Sequence, residues 1–436
     1  MTLVGKLRRC LLAPKVAERS QFYACQWTTA ERLEHQLRLW NQRWREITNA
    51  VPYYQQLQKQ LNLPEQFSSW EEFRAKMPIT TRQTIQQHAA QMCSTRRRAD
   101  FQRQTGGSTA QPIQVPAWRS EVRYTTPDIW LGRSWYGVFP DSRLFLLWGH
   151  SHLLGTGYRA VVRRTIRELK DWLVGIYRFS AYDLRPTAMR AAIGAMIRFR
   201  PDFLIGYSVA LDLLARTCEQ LKLDLRHLGL KLVLGAAESF PASDSQQRLS
   251  ELFGCPVGME YGSVETGLMA HTCPEGGYRV FWRTYFLEAE EAAAGIGRPV
   301  LVTSLFPRCV PLVRYRIGDE ITLGDSDEPS YGLASFRRVL GRCNDYVLMS
   351  DGAVLHSESF THAVRWCEEV LGYQVVQNGT EIQLRIMPRD KLSTEARREI
   401  HARLARIHPH LANVPLVEVE RLQQTVAGKT SMVVRV

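Results

Sequence analysis

Between Gln104 and Pro112 the chain reads Gln-Thr-Gly-Gly-Ser-Thr-Ala-Gln-Pro. Gly106 and Gly107 let the backbone approach a ligand closely and reach left-handed conformations at little steric cost. Thr105, Ser108 and Thr109 add hydroxyls, and consecutive N–H groups suit phosphate oxygens. No Gly-Lys-Ser/Thr follows at the spacing of a Walker A loop. A glycine-rich turn of this kind is, alone, more often a plain connection. Four further chemistry-bearing stretches come later in the chain. They are Tyr261-Gly262-Ser263-Val264-Glu265-Thr266-Gly267, Val313-Arg314-Tyr315-Arg316-Ile317-Gly318-Asp319, Gly341-Arg342-Cys343-Asn344-Asp345, and Gly428-Lys429 eight residues from the C-terminus.

No one of these stretches is specific. Their order and spacing, from about Val51 to the end, resemble the adenylate-forming superfamily of acyl-CoA synthetases. The nearest likeness is to its phenylacetate–coenzyme A ligase-like branch, which includes ligase-like proteins of capsular polysaccharide clusters. The resemblance implies ATP and Mg²⁺ as cofactors and an acyl-adenylate intermediate, with coenzyme A as the default acceptor. An amine, a hydroxyl or a carrier thiol is the alternative acceptor. It also implies roles for residues that match the motifs. Thr105, Gly106, Gly107, Ser108 and Thr109 would cradle phosphates. Gly235, Ala236, Ala237 and Glu238 would lie beside adenine, where a flat base needs small neighbours. Tyr261 would stack on the base within a motif that also carries Gly262 and Ser263. Asp319 would accept the ribose hydroxyls, and Arg342 would reach ribose or phosphate. Glu265 would bind Mg²⁺, which favours carboxylate and phosphate oxygens. Lys429 would stabilise the charge that develops as a carboxylate meets the α-phosphate. His150 and Tyr207 would line the acyl pocket; a solvent-facing loop is an equal reading of His150.

Three positions depart from the pattern. Gln111 stands where many members carry lysine, Ala110 where glycine is usual, and Asn344 where the hinge is commonly charged. Asparagine tolerates unusual backbone angles, which keeps a hinge there. A rival reading is a non-catalytic homologue that binds a membrane surface. The altered phosphate loop favours it; retention of Glu265, Asp319, Arg342 and Lys429 opposes it.

The elements that must position these residues emerge from hydrophobic periodicity. Residues 28–48 read as a helix, and Met77-Pro78-Ile79-Thr80-Thr81 leads into another with Thr80 or Thr81 as N-cap. Leu144 to His150 reads as a buried strand ending in glycine and delivering His150 and His152 to an edge; Pro201–Ser208 reads as a strand and then a helix start, and Leu232–Glu238 repeats that logic as a short apolar strand ending in small residues. Residues 160–178 read as a basic amphipathic helix with Ile166, Leu169, Leu173 and Ile176 among Arg163, Arg164, Arg167 and Lys170. Such a helix can lie on a membrane, but packing on its own domain is the expectation. Beyond the change of character at Gly341–Asp345, residues 357–371 read as helix, Tyr373–Val376 and Ile382–Ile386 as strands around an Asn378-Gly379 turn, and 393–407 as helix. The fold class is therefore α/β. A large N-terminal domain of layered α/β subdomains spans residues 1–340, and a hinge occupies 341–345. A small, mobile α+β domain spans 346–436.

Composition bounds the partners. The 436 residues carry a formal charge of +13, but the arginines are scattered and no zinc-finger or RNA-binding signature appears, so nucleic acid is not expected. The nine cysteines form no CxxC pair, which suits reduced thiols in a cytoplasmic protein. His271, Cys273, Cys309 and Cys343 could surround zinc, yet Tyr278 stands where a histidine ligand would fall, so ordinary thiols are expected. No run of 18 apolar residues predicts a transmembrane helix. The expected partners are a small-molecule carboxylate and its acceptor, with peripheral membrane contact as the open alternative.

Overall fold

The computed structural model describes residues 3–104, 114–148, 158–181, 186–236, 239–291, 297–324, 329–342, 346–351, 354–356, 360, 363–364, 367–423 and 432–436. Two compact units divide the chain. The first comprises Met1–Thr105, Pro112–Asp141 and Gly258–Leu340, and the second Gly106–Gln111, Ser142–Val257 and Gly341–Val436.

In chain order the first unit begins with α1 (Leu3–Ala24), α2 (Thr29–Ala50), α3 (Pro52–Gln60), α4 (Trp70–Lys76) and α5 (Arg82–His88). The hairpin β1 (Phe101–Gln104) and β2 (Gln114–Ala117) comes next, then α6 (Arg119–Ser134). Thr28 opens α2 as its N-cap, accepting from the Glu31 N–H while the Glu31 carboxylate accepts from Thr28 N–H. Trp40, Trp44 and Ile47 then face a core with Tyr54, Phe67, Phe73 and Phe286. Thr81 caps α5 as expected, and Thr80 forms a bridge with Tyr315.

The second unit holds β3 (Leu144–Trp148), α7 (Tyr158–Leu173), β4 (Ile176–Ser180), α8 (Pro186–Phe199), β5 (Phe203–Tyr207), α9 (Ser208–Gln220), β6 (Leu232–Ala236) and α10 (Ser245–Phe253). Its strands are parallel in the order β4-β3-β5-β6. β5 and β6 are buried along their whole length, as their unbroken apolar sequences demand. The predicted helix over 160–178 is corrected here. It stops at Leu173 because Gly175 adopts φ +76°, and Ile176–Ser180 pairs with β3. A second correction concerns its packing. Among the described side chains of α7, none is buried, and Ile166, Leu169, Trp172 and Leu173 are exposed.

The first unit resumes with β7 (Val257–Ser263), β8 (Gly267–Thr272), β9 (Tyr278–Val280), β10 (Tyr285–Ala289), β11 (Arg298–Ser304), β12 (Tyr315–Thr322), β13 (Ser335–Phe336) and β14 (Arg338–Arg342). β7, β8, β9 and β13 run as an antiparallel series, and a second sheet has the order β10-β11-β12-β14. The C-terminal part is a small α+β module. It contains β15 (Tyr346–Leu348), β16 (Val354–His356), β17 (Val370–Asn378), β18 (Glu381–Pro388), α11 (Thr394–Ile407), β19 (Leu416–Glu418) and β20 (Val433–Arg435). Its sheet order is β19-β18-β17-β20, and Ile400 and Leu404 of α11 enter its core. Val370 and Leu371, read from sequence as the end of a helix, start β17 instead; Asn378 pairs with Glu381, so the turn is Gly379-Thr380. Among the described residues no helix is long and apolar enough to cross a membrane.

Candidate functional site

Glu265 lies in the turn between β7 and β8, in the middle of the Tyr261–Gly267 motif. Two features make that turn tight. A side chain at Gly262 would meet the Gly267 carbonyl at 2.1 Å, and Gly267 itself holds φ +79°. Ser263 and Thr266 then lock the loop reciprocally. Ser263 N–H donates to Thr266 Oγ1 at 3.0 Å, and Thr266 N–H donates to Ser263 Oγ at 3.2 Å.

Three groups grip the turn from outside. The Arg308 guanidinium donates to the Glu265 carbonyl, to the Thr266 carbonyl at 3.2 Å and to the Val310 carbonyl at 3.2 Å. The Tyr285 hydroxyl donates to the Thr266 carbonyl at 2.5 Å. Arg103, the penultimate residue of β1, donates to the Glu265 carbonyl at 3.3 Å. Buried Glu121 balances this cationic pair: its Oε2 lies 3.1 Å from Arg103 and 3.9 Å from Arg308, while Oε1 accepts from the Trp118 and Cys309 N–H groups at 2.9 Å. Burial, then repulsion from Arg308, lowers the Arg103 pKa, and the Glu121 charge opposes that shift. With the backbone of residues 265 and 266 held this way, Glu265 is 7% exposed. Its Oε1 accepts from the Tyr315 hydroxyl at 3.3 Å, the one partner of that carboxylate among the described residues. A carboxylate fixed at its backbone and engaged through one oxygen suits a hard divalent cation.

The other predicted site residues fall in several places. Tyr261 is buried on β7, with its ring set edge-on to Tyr278 and Phe336 at 6.2 and 5.6 Å. Asp319 is half-buried on β12, immediately after Gly318, which has φ +86°. In the second unit, Gly235 and Ala236 end β6. The space a side chain at Gly235 would take is occupied by the Phe240 ring at 2.7 Å and Ser208 Oγ at 2.9 Å. Tyr207 ends β5 with its ring 4.2 Å from Trp148. Arg342 ends β14, and only its backbone is described. Thr105, Gly106, Gly107, Ser108, Thr109, His150, Ala237, Glu238, Asn344 and Lys429 lie outside the described residues.

Of the suggested zinc residues, Cys343 lies outside the described residues, and the other three have other partners. The buried His271 ring pairs through Nδ1 with the Thr272 carbonyl at 2.7 Å, and Cys273 Sγ donates to the Gly276 carbonyl at 2.9 Å. Cys309 lies beside Cys93, and the interaction between the two thiols lowers the Cys93 pKa against the effect of burial. Among the described residues, the three that could share a metal ion are Asp351, His408 and His410, with ligand atoms within 4.8 Å of one another. His408 Nε2 already sits 2.9 Å from Asp351, and His410 Nδ1 lies 2.9 Å from Ser350 Oγ.

Arg308, Glu121, Tyr285 and Tyr315 escape a motif-based reading. Arg308 and Glu121 are 187 positions apart, so no local pattern joins them. The available signal is a charged residue among apolar ones: Glu121 beside Val115-Pro116-Ala117-Trp118, and Arg308 inside Leu305-Phe306-Pro307-Arg308-Cys309-Val310.

No family model matches the chain. Protein CapK of Staphylococcus aureus is 21% identical over 352 residues, which cover 78% of this chain and 75% of that protein. Among solved structures, 2-hydroxyisobutyryl-CoA ligase in the postadenylation state in complex with 2-HIB-AMP superposes with a TM-score of 0.73 at 18% identity, covering 93% of this chain and 90% of that one. The anthranilate CoA ligase AuaEII in complex with anthranoyl-AMP gives 0.55 at 16% identity, covering 76% and 65%. o-Succinylbenzoate CoA synthetase (MenE) from Bacillus subtilis gives 0.51 at 13% identity, covering 76% and 67%.

Proposed function

For a chain with the fold of the adenylate-forming acyl-CoA ligases, we propose an ATP-dependent carboxylate-activating ligase. A carboxylate oxygen attacks the α-phosphorus of ATP; the new bond is acyl–O–P, and pyrophosphate leaves. The acceptor's nucleophile then attacks the acyl carbon and AMP departs. Coenzyme A is the default acceptor, giving a thioester. An amine, hydroxyl or carrier thiol is the second reading, supported by the likeness to CapK. Compartment follows from this chemistry, since ATP and coenzyme A place the reaction in the cytoplasm.

The observation that carries the reading is Glu265. Arg308, Tyr285 and Arg103 fix the backbone at residues 265 and 266, and the carboxylate is engaged through one oxygen by Tyr315. Glu265 is the residue that would hold Mg²⁺. The ion would supply charge neutralisation for the triphosphate. Asp319 holds the ribose and Tyr261 borders the base. Arg342 and residues 341–345 connect the large domain to the C-terminal module, and Lys429 stabilises charge at the α-phosphate.

The test is pyrophosphate release across a carboxylate panel. Glu265→Gln keeps shape and removes charge, so turnover with the active acid should drop by about a hundredfold or more. Turnover within about threefold of wild type would remove Glu265 from this role. Lys429→Ala separates the half-reactions: adenylation should fall by about a hundredfold, while transfer from a supplied acyl-adenylate persists. Equal loss in both steps would make Lys429 structural.

A further inference from the structure

An amphipathic helix on a folded protein ordinarily turns its apolar stripe inward. α7 does not. Leu169 is 58% and Trp172 65% exposed, and Val162, Ile166 and Leu173 are exposed beside them. At 100° per residue, Val162, Ile166, Leu169, Trp172 and Leu173 occupy one continuous stripe of the helix. By the same spacing Arg167 and Lys170 fall beside that stripe, and the helix sequence also carries Arg159, Arg163 and Arg164.

The charge around that stripe is one-sided. Five basic residues stand against two acidic ones along the helix, Glu168 and Asp171. Asp171 is held by Arg178, whose Nε lies 2.5 Å from Oδ2 and whose Nη2 lies 3.3 Å from Oδ1. Its charge is thereby matched within the fold, and the bases of α7 outnumber the remaining acid. A second copy of the chain would add the same excess of positive charge and bring no acidic partner for it. A neutral apolar groove would cover the stripe and leave that charge unmatched. A surface that is apolar within and negatively charged at its boundary satisfies both. The indole of Trp172 also suits such a boundary, where one side is apolar and the other wet.

We propose that α7 is an interfacial docking helix for an anionic lipid surface, with Ile166, Leu169, Trp172 and Leu173 entering the acyl boundary and Arg167 and Lys170 lying at the headgroups. This assignment stands independently of the catalytic reading.

Co-sedimentation of the full chain tests it, using vesicles of phosphatidylcholine alone and of phosphatidylcholine mixed with phosphatidylserine. The mixed vesicles should bind about tenfold or more tightly, and high salt should weaken that preference. Leu169→Glu should reduce binding to the mixed vesicles by about tenfold or more. A double variant, Arg167→Glu with Lys170→Glu, should abolish the preference for phosphatidylserine. Thermal unfolding of each variant should match the wild type, because every substituted side chain is exposed. Absence of binding to mixed vesicles would overturn the proposal, as would Leu169→Glu binding like wild type. Sedimentation equilibrium gives the remaining arm: a wild-type dimer that Leu169→Glu converts to monomer would assign the stripe to a second copy.

Discussion

Helices α2 and α7 both carry apolar residues at helical spacing beside basic ones, yet they meet opposite surroundings. α2 places Trp40, Trp44 and Ile47 in the aromatic core of the first unit, where Trp44 also donates its indole N–H to the Pro64 carbonyl at 2.9 Å. α7 places Ile166, Leu169 and Trp172 against solvent. The difference lies in the chain downstream of each helix. After α2 the chain supplies α3, α4 and the segment around Phe67, which close over the indoles. After α7, Gly175 turns the chain directly into β4. Periodicity specifies that a helix has an apolar stripe; the cover comes from elsewhere.

Replacing the same residue type in both helices should break the symmetry of their patterns. Trp44→Ala is expected to cost about 3–5 kcal/mol of stability, through lost burial and the cavity left behind. Trp172→Ala should stay within about 0.5 kcal/mol, as at ordinary surface sites. Urea midpoints of the two variants decide this, and comparable losses would mean that α7 is packed in solution.

A smaller effect distinguishes buried from exposed charge by pH. Burial raises the Asp128 pKa to about 6, outweighing Arg19 at 2.8 Å and the Thr284 hydroxyl. The unfolded carboxyl titrates near 3.8. Between these values the folded chain binds a proton that the unfolded chain has released. Stability contributed by this group is therefore present below about 4 and is lost as pH rises through about 6. Asp128→Asn should flatten that part of the profile in thermal unfolding, whereas Lys170→Gln on α7 should leave it unchanged. A profile identical in Asp128→Asn and wild type would refute the assignment. The smallest expected change is in Leu169→Gln, whose melting temperature should equal that of the wild type while its vesicle binding falls.

Much of the scaffold was legible from local pattern. The apolar runs around Leu144–Trp148, Phe203–Tyr207 and Leu232–Ala236 are parallel strands, Thr81 caps its helix, and the helix read over 393–407 is α11. The Tyr261–Gly267 motif could be located, but not the reason its turn is rigid. That reason is Arg308 and Glu121, brought together by tertiary structure alone. Boundaries failed where one glycine outweighed a continuing pattern. Ile176 extends the apolar spacing of α7, but the left-handed backbone at Gly175 ends the helix first. Val370 and Leu371 fit a helical stripe, yet cross-strand pairing claims them, with a bulge between Val370 and Gly372.

The placement of Trp172 has an optical consequence. The chain has 11 tryptophans, and among those described Trp172 alone is exposed. Indole emission shifts to the red in water, and collisional quenchers such as iodide reach only accessible rings. The native spectrum therefore contains a small red-edge contribution that iodide can remove, over a blue background from the indoles of the core. Comparing wild type with Trp172→Phe isolates that contribution. α7 thus comes with its own chromophore, and its surroundings can be read in the intact protein without attaching a label.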